Sequence, residues 1–167
     1  MPFAAALSHA RSVGQAVEEA VRQVQENQPG QPDLAIAFFS PHHKKAAAEL
    51  AGLLASRLGA KSLLGCMGES ILGNDREIEG EPALVVWTAR WSHPVEMHAF
   101  CLAPEQTPDG MSLLGWPDSL VDSDPKDSLL LLFGDPFTLP IDPLLTQLNE
   151  DHPGQQDIAY RRSADTP

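Results

Sequence analysis

The sequence predicts an α/β fold: a mixed sheet with flanking helices, in which parallel β-α units at the N-terminus are followed by an antiparallel hairpin. Two observations predict this class. Short apolar runs alternate with stretches of helical periodicity through the N-terminal half, which is the pattern of parallel β-α units. Further along, two strand-like runs flank a short polar turn, which is typical of a hairpin.

The first β-α unit begins close to the N-terminus. Residues 3–7 predict a short strand, and Ser12 with Gln15 three residues later stands in capping-box position for a helix. Residues 27–32 (Asn-Gln-Pro-Gly-Gln-Pro) end that helix. Between these limits the apolar residues recur at helical spacing and predict one buried stripe, which consists of Val13, Ala16, Val17, Ala20, Val21 and Val24.

The second β-α unit starts with a nearly continuous apolar run, residues 34–39, which is expected of a strand covered on both faces. Ser40-Pro41 then predicts a helix start, with serine as the N-cap and proline at the first helical position. Gly59 predicts the end of this helix. Its expected buried face consists of Ala47, Leu50, Leu54 and Leu58.

The second half of the chain is less regular. Residues 71–82 are polar and acidic and predict a strand pair or a mobile loop, and residues 83–91 and 95–102 predict the antiparallel hairpin. Three further elements are expected: a short helix within 111–120, a strand at 129–133, and a helix that starts at Asp142-Pro143 and buries Leu144, Leu145 and Leu148. We expect one domain over residues 2–154 and a disordered tail over residues 155–167.

Composition excludes several classes of function. The chain has 167 residues, of which 23 are acidic and 11 basic, so its net charge is −12. Nucleic acids and anionic membrane surfaces bind through Lys and Arg, so neither is an expected partner. No signal peptide or membrane span is visible, which predicts a cytoplasmic protein. The two cysteines, Cys66 and Cys101, are expected to be free thiols.

A turn rich in glycine provides the first candidate site. Gly65 and Gly68 bracket Cys66 after an apolar run, and Glu69 follows. Backbone N–H groups of two glycines would suit a ligand carboxylate, and Glu69 would suit an amino group, so together they would fit a zwitterionic amino acid. The alternative is structural: Cys66 as a small buried residue and Glu69 as an exposed turn carboxylate.

Two more strand ends extend this candidate site. Ser40, with His42 and His43 after it, lies where a strand meets a helix, which is a natural anion site in α/β folds. The alternative is a capped helix start with two exposed histidines. Asp135 follows the strand at 129–133. The expected ligand-binding residues, which would line one concave pocket beyond the strand ends, are Ser40, Gly65, Cys66, Gly68, Glu69 and Asp135.

The order of these motifs resembles the N-terminal half of the FIST domain family (F-box and intracellular signal transduction). The matching segments are Pro32 to Pro41, Leu64-Gly65-Cys66 and Gly68-Glu69, within a resemblance that covers roughly residues 2–154; the chain departs from the family pattern at Met67. The resemblance implies a sensory domain that binds amino acids or their derivatives, has no established catalysis and acts with a signalling partner. It also implies a C-terminal domain that this sequence does not include.

Three classes of function follow. A small-molecule sensor domain is expected first, a protein-interaction module of the adaptor type is the alternative, and a thiol-dependent enzyme that uses Cys66 is a remote third. We expect no enzyme activity, because no nucleophile–base pair stands in a recognisable turn, and no cofactor, because phosphate-loop and dinucleotide motifs are missing. We expect no metal, because the histidines lack zinc-site spacing and residues 122–127 lack the glycine and glutamate of a calcium loop. An uncovered edge or apolar face beside the strand at 129–133 predicts either a homodimer or marginal solubility.

Overall fold

A four-stranded mixed sheet organises residues 1–96, the first of two units into which the chain divides. The structure is a computed structural model that describes residues 2–108, 110–121, 127–134, 139–151, 153–154 and 156–161. In chain order, the first unit contains β1 (Phe3–Ser8), α1 (Val13–Asn27), β2 (Leu34–Phe39), a 3-10 helix (Pro41–Ala46), α2 (Ala47–Leu58), β3 (Ser62–Met67), β4 (Ser70–Gly73), β5 (Arg76–Glu79) and β6 (Leu84–Ala89).

The strand order β1-β6-β2-β3 confirms the predicted fold class. Both β1 and β2 pair antiparallel with β6, and β2 pairs parallel with β3, so the strands of the two β-α units run in one direction. The predicted hairpin of residues 83–91 with 95–102 is wrong. Both edges of β6 are already paired, with β1 and β2, and residues 95–102 form no strand. The antiparallel hairpins lie elsewhere, one of them in β4 and β5.

Helix α1 covers one face of this sheet with the predicted apolar stripe, all of which is buried. Ser12 is its N-cap, and the Ser12 hydroxyl accepts a hydrogen bond from the Gln15 backbone N–H at 3.3 Å. The stripe packs with Leu50, Leu54 and Leu58 of α2 in the main core. Each buried valine or leucine side chain of these helices contributes roughly 1.5–3 kcal/mol when it leaves water, so the two helices hold the sheet from this side.

The start of α2 differs from the prediction. Ser40-Pro41 opens the short 3-10 helix instead of an α-helix, and α2 begins only at Ala47. The Ser40 hydroxyl does not cap this helix, because it accepts a hydrogen bond from the Ala83 backbone N–H. The end of α2 is as predicted: Gly59 adopts the left-handed conformation, with φ of 62°.

The opposite face of the sheet is covered by β4 and β5, which pair antiparallel as the strand pair predicted for residues 71–82. Ile71 and Ile78 of this hairpin pack with Ala83 and Val85 in a second cluster. Val85 alternates along β6 with Leu84 and Val86, which belong to the main core, so the two clusters lie on opposite faces.

Residues 97–167 form the second unit. It contains β7 (Ala103–Thr107), β8 (Gly110–Leu114), α3 (Asp118–Val121), β9 (Leu129–Gly134), α4 (Ile141–Asp151) and β10 (Gln156–Arg161). Strand β9 and helix α4 correspond to predicted elements, and Leu144 and Leu148 are buried, whereas Leu145 is 39% exposed. The short helix expected within 111–120 is found only at the end of that segment, as the four-residue α3, because β8 occupies its first part.

The tail also differs from the sequence prediction. The sequence predicts disorder from residue 155, but β10 pairs in parallel with β9, with Ile158 in register with Leu131. Composition misses this strand because such pairing depends on backbone hydrogen bonds with a distant partner. Strand β10 also covers one edge of β9, where the sequence predicts an uncovered edge. The single domain over residues 2–154 stays a prediction.

Candidate functional site

The carboxyl ends of β1, β2 and β3 lie at the same end of the sheet. Strand register places Ser8, Leu84, Phe39 and Met67 in one row across the four strands. The residues that follow this row on β2 and β3, Ser40 to His43 and Gly68 to Glu69, are called the carboxyl edge below. The Gly68 backbone N–H donates to the Phe39 carbonyl at 3.0 Å, so two of the turns predicted to meet are neighbours.

Ser40 is 2% exposed and forms part of the framework of the carboxyl edge. Its backbone N–H donates to the Ala83 carbonyl, and its hydroxyl accepts from the Ala83 backbone N–H, both at 2.9 Å. These bonds tie the end of β2 to the residue before β6. The hydroxyl proton of Ser40 is still able to donate, since accepting a bond does not use it.

The glycine-rich turn differs from its predicted shape. Gly65 and Cys66 lie inside β3, so the turn consists of Gly68 and Glu69 alone. Gly65 is needed because a Cβ there would overlap the Ala37 carbonyl oxygen of β2. The Gly68 N–H is bonded to Phe39. The two glycines are therefore three residues apart on β3 and its turn, and the Gly68 N–H already has a backbone acceptor, so the role of this pair as an anion nest stays a prediction.

The remaining predicted residues differ in exposure. Cys66 is a half-buried thiol on β3, and Glu69 is an exposed carboxylate in the turn that leads to β4. Gly68 is buried beside it. Asp135 lies outside the described residues. The structure therefore places Ser40, Gly68 and Glu69 at the carboxyl edge and Gly65 and Cys66 on the strand that leads to it.

The burial of His43 was not predicted from the sequence. The sequence groups it with His42, but the structure exposes His42 and buries His43 to 1%. The His43 backbone N–H donates to the Ser40 carbonyl at 3.0 Å, whereas Nε2 has no hydrogen-bond partner among the described residues. Burial lowers the pKa of His43, and the neighbouring His42 lowers it further, so the imidazole is neutral near pH 7.

A polar network beside the end of β1 is a second feature that the sequence analysis missed. The Ser8 hydroxyl donates to Glu19 Oε2 at 2.5 Å, and that bond, followed by one from Gln15, lowers the pKa of Glu19. Gln23 bonds both the backbone N–H (3.1 Å) and the carbonyl (2.8 Å) of Leu7. The available signal was the spacing of Gln15, Glu19 and Gln23 at i, i+4 and i+8 on α1.

An open groove lies at the other end of the sheet. It is lined by Pro2, Arg90, Trp91 and Ser92, next to the row that pairs Phe3 with Ala89. Asp33 lies at the same end, where its carboxylate accepts from the Trp91 backbone N–H at 2.8 Å. This groove does not include the predicted site residues, so it is a competing location for a ligand.

Within the residues that the structure describes, no group of three or more His, Cys, Asp or Glu side chains is placed to hold a metal ion. In the same residues no helix has the length and apolar character needed to cross a membrane.

The fold defines an α/β domain built on two β-α units whose strand ends carry the polar side chains. The profile of one family, described as the FIST N domain, matches residues 33–160. The chain belongs to this family, as the motifs in its sequence predict.

Relatives of the chain are longer proteins. An uncharacterized protein of Mycobacterium bovis is 33% identical over 141 residues, which are 84% of this chain and 35% of that protein. An uncharacterized protein of Mycobacterium tuberculosis is 31% identical over 155 residues, which are 92% of this chain and 39% of that protein. The chain therefore spans little more than a third of the length of these relatives. No solved structure matches the chain.

Proposed function

We propose that the chain is a sensory domain of a signal-transduction protein and that it binds a small amino-acid-like ligand at the carboxyl edge. The buried Nε2 of His43, without a partner among the described residues, is the observation that carries this proposal. A buried polar atom left unpaired costs about 1–3 kcal/mol. Such an atom at the end of strands in an α/β sheet is the kind of group that a bound ligand or water satisfies.

The residues of the carboxyl edge have different roles in this proposal. The neutral imidazole of His43 offers Nε2 as a donor to a ligand carboxylate, or as an acceptor in its other tautomer. Glu69 is exposed and supplies a negative charge for the ligand ammonium group. Ser40 fixes the turn that carries His43, because its carbonyl accepts from the His43 N–H. Cys66 and Gly65 form the strand that leads into the turn.

This function requires no catalytic step, so Cys66 has no nucleophilic role in it. The output is a change in how the domain contacts a signalling partner. The net charge of −12 argues against nucleic acid and anionic membrane as that partner. In the longer relatives, residues beyond the matched third would be available to carry the output.

Titration calorimetry with the standard amino acids tests the proposal. We expect at least one to bind, Glu69→Gln to weaken binding of that amino acid about tenfold, and His43→Phe to weaken it further. Glu18→Gln is the matched control, since Glu18 is an exposed carboxylate on α1 and is not one of the residues of the carboxyl edge. Equal binding by the Glu69→Gln and Glu18→Gln variants, or no binding of any amino acid, would contradict the proposal.

A protein-interaction module is the second candidate, and one observation favours it. Leu72 on β4 is 74% exposed, on the side of the hairpin opposite to buried Ile71. An exposed leucine on a rigid hairpin is suited to contact a partner protein. If no amino acid binds and Leu72→Ser abolishes capture of a partner from a lysate while Leu129→Ser does not, the adaptor function is the better one.

A further inference from the structure

The two edges of the four-stranded sheet are unequal. At the β1 edge, the side chain of Gln23 bonds both the N–H and the carbonyl of Leu7. An incoming strand would have to displace these bonds. At the β3 edge no further strand of the described chain pairs, and residues 62–67 contain neither a charged side chain nor proline. Proteins commonly protect edge strands with such residues. Within the first unit, the β3 edge is therefore available for strand addition.

Backbone directions identify the residues that β3 presents to a partner. The N–H groups of Ser62 and Gly68 both donate to β2 or its flanks, at Asp33 and Phe39. The backbone N–H and carbonyl groups of successive residues point to alternate sides of a strand. Those of Leu63, Gly65 and Met67 therefore point away from β2. Gly65 lies at the centre of this set and is exposed. A residue without a side chain allows another backbone to approach closely.

The charges at the two ends of β3 are opposite and symmetrically placed. Lys61 stands four residues before Gly65, and Glu69 stands four residues after it. The Lys61 side chain is 59% exposed although Nζ lies 2.7 Å from Asp33 Oδ1, and Glu69 is exposed. In an antiparallel pair of two β3 strands centred on Gly65, the flank that carries Lys61 in each copy lies next to the flank that carries Glu69 in the other. The edge is therefore complementary to itself.

We propose that two copies of this chain associate through β3, antiparallel and with the two Gly65 residues on the symmetry axis. Leu63 of each copy then faces Met67 of its partner and exchanges backbone hydrogen bonds with it, which extends the sheet across the dimer. Such an isologous contact closes on itself and does not continue into a filament. The surface is small, so we expect dissociation constants on the order of micromolar.

The register makes a specific prediction about disulfide cross-links. Leu64 of one copy faces Cys66 of the other in a non-hydrogen-bonded pair, where Cα atoms are about 4.5 Å apart, a distance that a disulfide spans. In a Cys101→Ser background, Leu64→Cys is expected to give a covalent dimer under mild oxidation, in which the introduced thiol of one copy is bonded to Cys66 of the other. Leu63→Cys is the matched control, because side chain 63 points to the opposite face from Cys66.

Sedimentation equilibrium supplies a second measurement that needs no new cysteine. Glu69→Lys places like charges opposite each other and should weaken the dimer at least fivefold, whereas Glu81→Lys changes net charge equally at an exposed position outside β3. Cross-linking of the Leu64→Cys variant well above the Leu63→Cys variant, with weakening by Glu69→Lys alone, would support the dimer. A chain that stays monomeric at the highest concentrations would overturn the dimer. Equal cross-linking of the two cysteine variants, or equal weakening of the dimer by Glu69→Lys and Glu81→Lys, would also overturn it.

Discussion

Ser40 and Ala83 are joined by two reciprocal hydrogen bonds. The Ser40 backbone N–H donates to the Ala83 carbonyl, and the Ala83 N–H donates to the Ser40 hydroxyl, each at 2.9 Å. Both residues are buried. The pair fastens the end of β2 to the start of β6 and sets the position of the turn that carries His43. The carboxyl edge thus depends on a residue distant in sequence.

Removal of the Ser40 hydroxyl should destabilise the fold. Ser40→Ala leaves the buried Ala83 N–H without its acceptor, which costs about 1–3 kcal/mol in the free energy of unfolding. Urea denaturation measures this loss. Ser56→Ala is the control, since Ser56 is exposed on α2 and bonds the Leu53 carbonyl of its own helix. Equal stability of the two variants would show that the Ser40–Ala83 pair contributes little.

Two glycines should respond in opposite ways to alanine. Gly65→Ala introduces a Cβ against the Ala37 carbonyl and is expected to destabilise by about 1–3 kcal/mol. Gly52 is exposed within α2, and a Cβ there meets no atom within 4 Å, so Gly52→Ala should stabilise by about 0.5–1 kcal/mol. Thermal unfolding of the two variants measures both stability changes. A stabilising Gly65→Ala would contradict the close approach of β3 to β2.

His43 should make stability depend on pH near neutrality. Burial lowers its pKa in the folded state, so at mildly acidic pH the unfolded chain binds more protons than the folded one. Stability is then complete above the unfolded pKa of about 6.5 and falls as pH drops from there toward the folded pKa.

Comparison with His43→Gln isolates this contribution. The free energy of unfolding of the parent chain should fall between pH 7.5 and about 5.5, and that of the variant should change less. Lowered carboxyl pKa values, as at Glu19 and Asp33, act only at more acidic pH. Identical pH profiles above about 5.5 would exclude a buried neutral His43.

The Ser8–Glu19 bond should be visible in the titration of one carboxyl group. That bond is the main reason why the pKa of Glu19 is lowered, and the bond from Gln15 is the next. Ser8→Ala should raise the pKa of Glu19 more than Gln15→Ala does, as measured by NMR of the side-chain carboxyl carbon. A larger effect of Gln15→Ala would mean that Ser8 is not the principal donor.

Local signals predicted much of the fold. The stripe of α1, its Ser12 cap and the strand Leu34–Phe39 were all predictable, because periodicity and capping depend on residues close in sequence. The insertion of β6 between β1 and β2 was not. It depends on pairing between strands that are about 50 residues or more apart, with no local signature. The pairing of β10 with β9 was missed for the same reason.

The neighbouring position of two turns at the carboxyl edge was predicted, whereas ligand binding there stays a prediction. The turns after β2 and β3 meet because parallel strands end at one edge of a sheet, which is a general rule of α/β folds. The need for glycine at position 65 was not predictable, because it arises from contact with the Ala37 carbonyl of the neighbouring strand β2. The burial of His43 beside exposed His42 depends on the 3-10 helix, where the sequence predicts an α-helix.

NMR mapping tests the central claim, ligand binding at the carboxyl edge, most directly. The ¹⁵N-labelled chain is titrated with each amino acid that shows binding by calorimetry, and amide shifts are recorded. We expect the largest changes at Ser40, His43, Gly68 and Glu69, and their loss in His43→Phe. Changes concentrated at Arg90, Trp91 and Ser92 would place the ligand in the groove at the other end of the sheet and would contradict the claim, as would no change at any amide.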